Sequence, residues 1–171
     1  MSHDESKAKL GFIWTGQVFA PDGELIYTGG PDQNIIPQDG IDHLVGLIRG
    51  TTTLISDWYV GIGESDYVPT ASTTSADLQS AVGECTAYSE STRRPWNDVY
   101  DGTSIITNLA SRAEFTLTSE KRLYTGFLAA DSTKGGASGV LLSIARFSSP
   151  YDVPAGSTFR LGVSITMLPE I

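Results

Sequence analysis

The stretch "GSTFRLGVSITML" (Gly156–Leu168) alternates without a break. Phe159, Leu161, Val163, Ile165 and Met167 share one side, and Arg160 with small or polar residues takes the other. A helix would scatter those five apolar residues around its circumference, whereas a strand places them all on one covered face. The same period recurs in "SRAEFTLTSE" (Ser111–Glu120), where Ala113, Phe115 and Leu117 alternate with Arg112, Glu114 and Thr116. A strand that is apolar on one side only must lie in a sheet packed against another layer.

Further strands are predicted in "LGFIWTGQVFA" (Leu10–Ala20), "ELIYTG" (Glu24–Gly29), "TLISDWYVGIG" (Thr53–Gly63), "KRLYTGFLAA" (Lys121–Ala130) and "GVLLSIARF" (Gly139–Phe147). The first two flank Pro21-Asp22-Gly23 and read as a hairpin. Gly29–Gly40 reads as irregular. In "DGIDHLVGLIRG" (Asp39–Gly50), Ile41, Leu44, Val45 and Ile48 recur at helical spacing. That spacing predicts a short amphipathic helix packed on a sheet edge, with Asp39 as N-cap, Arg49 near the negative end of the dipole and Gly50 in a left-handed cap. "SADLQSAVGE" (Ser75–Glu84) has room for one or two helical turns, with Leu78, Ala81 and Val82 inward and Gly83 ending them. A long connection follows through "CTAYSESTRRPWNDVYDGTS" (Cys85–Ser104). The total is about eight mostly antiparallel strands with one short helix and no βαβ unit. The fold class is mainly β, an antiparallel β-sandwich; the pattern leaves jelly-roll and immunoglobulin-like topologies both open. Residues 1–9 are polar and read as a flexible arm, and residues 10–171 as a single domain.

Charge and cysteine content narrow the function classes. The net charge of −9 disfavours nucleic-acid binding, because phosphate backbones are repelled. No apolar run approaches the length of a membrane span, and the N-terminus has no apolar signal core, so the chain is expected to be soluble, made in a cytoplasm and not membrane-bound. One cysteine, Cys85, allows no internal disulfide and is expected to be inert.

Catalytic and cofactor readings find little support. "DSTKGG" (Asp131–Gly136) resembles a phosphate loop in composition, but its lysine precedes its glycines and a strand, not a helix, follows. The expectation is a hairpin loop with Lys134 exposed at its tip. The carboxylates of "GESDY" (Gly63–Tyr67) and "PWNDVYDG" (Pro95–Gly102) lack the spacing of a calcium loop. A third carbohydrate-cleaving possibility would rest on Asp98 and Asp101. No G-x-S-x-G elbow occurs, and two histidines with one cysteine are too few for zinc. No catalytic residue, metal or cofactor is expected. The segment with interaction character is "STRRPWNDVY" (Ser91–Tyr100), whose Arg93, Arg94, Trp96 and Tyr100 are residue types enriched at protein interfaces. The alternative for the same residues is that Trp96 plugs the end of the sandwich while both arginines pair with local carboxylates.

Taken together, "NIIPQDGIDHLVGLI" (Asn34–Ile48), "DWYVGIG" (Asp57–Gly63), "AYSESTRRPW" (Ala87–Trp96), "DSTKGGASGVLLSIARFSS" (Asp131–Ser149) and the closing alternating strand resemble a group of small tailed-bacteriophage virion proteins. The resemblance runs from Phe12 to Met167. One departure is "ADLQSAVGECTAY" (Ala76–Tyr88), which lacks a histidine and a tryptophan of the family pattern. The resemblance implies a non-enzymatic structural protein of the particle, a cement or decoration protein on the capsid exterior, made in the host cytoplasm. Its implied partners are the major capsid protein or another virion protein, with self-association as a dimer or trimer. The alternative is a tail- or neck-associated module that binds a host receptor or glycan through an aromatic platform of Trp58, Trp96 and Tyr100.

Overall fold

The computed structural model describes residues 10–167, so the arm expected over residues 1–9 lies outside the described residues. Ten strands are present among them: β1 (Gly11–Phe19), β2 (Leu25–Gln33), β3 (Tyr59–Gly63), β4 (Arg94–Pro95), β5 (Val99–Tyr100), β6 (Ile105–Thr107), β7 (Ala113–Thr116), β8 (Lys121–Ala129), β9 (Leu141–Val153) and β10 (Thr158–Thr166). One sheet runs β2-β1-β10-β6-β5, with β7 also paired to β10; the other runs β4-β3-β8-β9. Every pairing is antiparallel. The architecture is the antiparallel β-sandwich that the alternation demands.

Both sheets feed one core. Trp14, Val18, Phe115, Phe159, Leu161 and Val163 from the first meet Val60, Ile62, Leu123, Leu128 and Tyr151 from the second. Gly16 and Gly29 make this fit possible. A Cβ at either would stand 2.6 or 2.5 Å from the Tyr151 ring or hydroxyl, and the Gly16 amide donates to Tyr151 Oη at 3.1 Å.

β10 has two successive neighbours along one edge. β7 pairs with Thr158–Leu161 and β6 with Ser164–Thr166. Asn108 fills the gap: its Oδ1 accepts from the Val163 amide at 2.6 Å and its Nδ2 donates to Leu161 O at 3.3 Å. One buried side chain thus replaces a missing stretch of ladder, as buried backbone polar groups require.

Three sequence expectations change. The second sheet is covered on both faces, because residues 64–84 fold over its outer side. Leu78 and Val82, from the short helix α2 (Asp77–Ser80) and the residues after it, pack there on Phe127, Ala129, Leu141 and Ile144. β2 runs to Gln33, through residues read as irregular, since Asp32 and Gln33 pair with Trp14 and Ile13.

The third change concerns helix α1 (Gln38–Arg49). Gly50 takes the expected left-handed cap at φ 66°, but the N-cap is Pro37. Asp39 instead accepts from the Leu141 amide at 2.9 Å. The helix is also turned relative to expectation. Its buried positions are Gly40, His43 and Gly46, while Ile41, Val45 and Ile48 are 37 %, 45 % and 87 % exposed. The helix lies so close to β9 that a Cβ at Gly40 would come within 2.7 Å of Leu142 O. At that point only glycine fits, while His43 packs beside Trp58 and Leu44 stays half-buried on the core, so Ile41, Val45 and Ile48 are left facing outward. Among the described residues no helix is long and apolar enough to cross a membrane.

Candidate functional site: a three-arginine cleft

The residues picked out between Ser91 and Tyr100 separate into interior and surface. Arg93 is fully buried. Its Nε and Nη2 donate to the two Glu84 oxygens at 2.8 and 2.7 Å, while Nη1 and Nη2 reach Asp131 O at 2.9 Å and Gly136 O at 2.6 Å. A bidentate carboxylate pair with two carbonyls satisfies a buried guanidinium in the way its burial requires. Trp96 is 8 % exposed, with its indole N–H directed at Val163 O, 3.4 Å away. Arg93 and Trp96 are therefore framework residues, not surface available to a partner. Trp58 is half-buried against His43, with ring centroids 5.6 Å apart. Trp58, Trp96 and Tyr100 thus form no exposed aromatic platform; of the three only Tyr100, 58 % exposed, is open to solvent.

Arg93 also explains the Ser-Thr-Lys-Gly-Gly segment. Arg93 clamps the loop at Asp131 and Gly136, and Gly135 turns it at φ 74°. Lys134 is half-buried, not exposed at a tip. Its ammonium donates to Tyr88 O and Glu90 O at 2.8 and 2.7 Å and lies 4.1 Å from the Tyr88 ring centroid. The correction has a simple cause: a long side chain beside two free carbonyls and an aromatic face folds back onto them. The exposed tip is Ala137–Gly139.

Arg94 points elsewhere. It lines a cleft of about 440 Å³ on the outer face of the first sheet, with Gln17, Asn97, Arg112, Glu114 and Arg160 among the walls. Pairing register builds its floor. Arg160 stands opposite Gln17 on β1 and Glu114 on β7, so the three side chains form one row across three strands. Arg112, just before β7, lies over Gly162 and donates to Thr15 O and Oγ1 at 2.8 and 2.7 Å. A Cβ at Gly162 would stand 2.5 Å from the Arg112 guanidinium, so that crossing depends on glycine. Desolvation lowers the Arg112 pKa from its ordinary value, partly opposed by Tyr151, without threatening its charge.

Three arginines against one glutamate leave the cleft two positive charges in a chain of net charge −9. Arg160 Nε lies 2.7 Å from Glu114 Oε1, an ion pair by distance whose angle falls short of a hydrogen bond. Arg160 also stacks 4.4 Å from the Phe19 ring centroid. Arg94 Nε is buried and has no hydrogen-bond partner. Sequence reasoning found Arg94 and missed Arg112, Arg160 and Gln17. Their only local signal is that Arg112 and Arg160 occupy the wet side of alternating strands.

Other chemistry-bearing groups are tied into the framework. Burial, reinforced by Glu64, pushes the Cys85 thiol up to about 12, so it stays protonated at neutral pH. Asp101 accepts from the amides of Thr103, Ser104 and Ile105 at 2.8 to 2.9 Å, and these bonds, that from Ile105 foremost, hold its carboxyl far below the usual range. No protein-family model matches the chain, and no curated protein matches it.

Proposed function

We propose that this chain is a non-enzymatic structural component of a tailed-phage particle, which binds the outer capsid shell and stabilises it as a cement or decoration protein. The observation that carries the reading is the outward stripe of Ile41, Val45 and Ile48 on α1. A helix normally turns such residues inward. Here Gly40 sets the helix against β9, Leu44 packs on the core, and Ile41, Val45 and Ile48 remain open to a partner. An exposed apolar stripe on a chain this acidic marks a protein-binding surface. The motif resemblance from Phe12 to Met167 supplies the class of partner, a shell subunit. Leu25, Ile26 and Tyr27, exposed on the edge strand β2, support self-association into a symmetric oligomer.

On this reading each copy touches more than one shell subunit and opposes their separation. The test is a Val45→Glu, Ile48→Glu double variant, added to particles lacking the protein. Because both side chains are exposed, stability should change by less than about 0.5 kcal/mol per site. Occupancy on purified particles should fall at least tenfold, because each buried carboxylate must be desolvated against an apolar surface. Undiminished occupancy, or a parent copy number befitting a tail ring instead of the whole shell, would remove the reading.

A further inference from the structure

We infer that the three-arginine cleft is a second binding site, built to capture an acidic peptide segment of a partner protein through its side-chain carboxylates. The cleft is apart from the α1 stripe and draws on residues that the shell reading leaves unused. Three observations converge on it.

First, Arg94 lines the cleft while its buried Nε finds no hydrogen-bond partner and no carboxylate of the described residues pairs with it, so its charge is not committed within the chain. Second, Arg94, Arg112 and Arg160 line one cleft of about 440 Å³, large enough for a few side chains. Planar guanidinium forks match carboxylates in geometry. Third, Glu114 already occupies the row beside Arg160, at pairing distance but poor angle. It shows the kind of group these arginines take and leaves Arg160 free to re-pair. The same carboxylate, together with the chain's acidity, counts against a densely charged polyphosphate. Singly charged groups spaced along a peptide meet much less repulsion.

Isothermal titration of the isolated full chain tests this independently of any particle. The probes are an acetylated, amidated tetraglutamate peptide, succinate and inorganic phosphate, each at low and high salt. The peptide should bind one-to-one and weaken severalfold at high salt. Arg94→Ala should weaken it at least tenfold, and Arg94→Lys should restore little, since an ammonium lacks the fork. Glu114→Gln should tighten it severalfold by removing the internal competitor. That variant lies at a surface position, 48 % exposed, where folding is not at risk. The inference is overturned if the peptide does not bind, if succinate or phosphate binds as tightly, or if neither Arg94→Ala nor Glu114→Gln changes the peptide's affinity. Loss of shell binding in the α1 variant with retained peptide binding would separate the two surfaces.

Discussion

Arg93 shows how much one side chain decides here. It joins Glu84, at the end of the segment covering the second sheet, to Asp131 and Gly136 in the loop between β8 and β9, and it rests 5.2 Å from the Phe127 ring centroid. A segment nine residues away and a loop about forty residues away thus meet on one guanidinium. Replacing Arg93 with Ala strands the Glu84 carboxylate, which is 1 % exposed, and should lower the unfolding free energy by about 3–5 kcal/mol in urea denaturation. Arg93→Lys should recover little of it, since a compact ammonium cannot serve two carboxylate oxygens and two carbonyls in one plane. A loss below about 0.5 kcal/mol for Arg93→Ala would mean the pair contributes nothing net. Neighbouring Arg94 has the same side chain and an unrelated role, which no inspection of "STRRPW" could reveal. The strand β4 pairs Arg94 with Val60 and sends alternate residues to opposite sides.

Among the elements, the β5–β6 hairpin depends on Asp101 as β10 depends on Asn108. The Asp101 carboxylate gathers three amides and the Thr103 hydroxyl. Its pKa is lowered, so the ionised form is the one the turn favours. The contribution is complete above the unfolded carboxyl value of about 3.9 and is lost only as pH falls through the lower native value. NMR titration should therefore find this carboxyl still ionised at pH ~3. A midpoint near ~3.9 would show that the amides do not hold it.

Strands with one wet face, β7 and β10, were open to reading because their period is local. α1 lies where the spacing predicts it and Leu44 faces the core, but Ile41, Val45 and Ile48 face out. Which side is buried depends on how near β9 comes, and Gly40 signals that approach only once the strand is known to be there. The same limit hid the cleft: Gln17, Arg160 and Glu114 are neighbours by register, and register joins residues far apart in the chain. The second half of β8 and the start of β9 escape alternation, because Leu78 and Val82 bury their second face.

Across the full sandwich, the main core cluster draws on both sheets, and a smaller one lies between the second sheet and residues 64–84. Unfolding should be a single cooperative transition. Tryptophan fluorescence, dominated by the buried Trp14 and Trp96, should follow the same denaturant curve as far-UV circular dichroism. Separated midpoints would mean that the second sheet, with its outer layer of residues 64–84, comes apart on its own. The two proposed binding surfaces have different physical characters: α1 offers an apolar stripe, and the cleft offers oriented positive charge in an acidic chain. Salt should weaken the second far more than the first, so ionic strength distinguishes which surface a partner uses.

The glycine side of α1 has a mechanical consequence. A helix cushioned on long side chains can rock as they change rotamer, absorbing a tug before the body of the protein feels it. Here Gly40 sets the helix directly against the β9 backbone, the Asp39 carboxylate grips the Leu141 amide, and Ile35 exchanges both backbone bonds with Ile144 just upstream. A pull on Ile41, Val45 or Ile48 therefore passes into the second sheet with little slack. For a protein whose proposed task is to stop shell subunits from drifting apart under internal pressure, such a stiff coupling serves better than a compliant one.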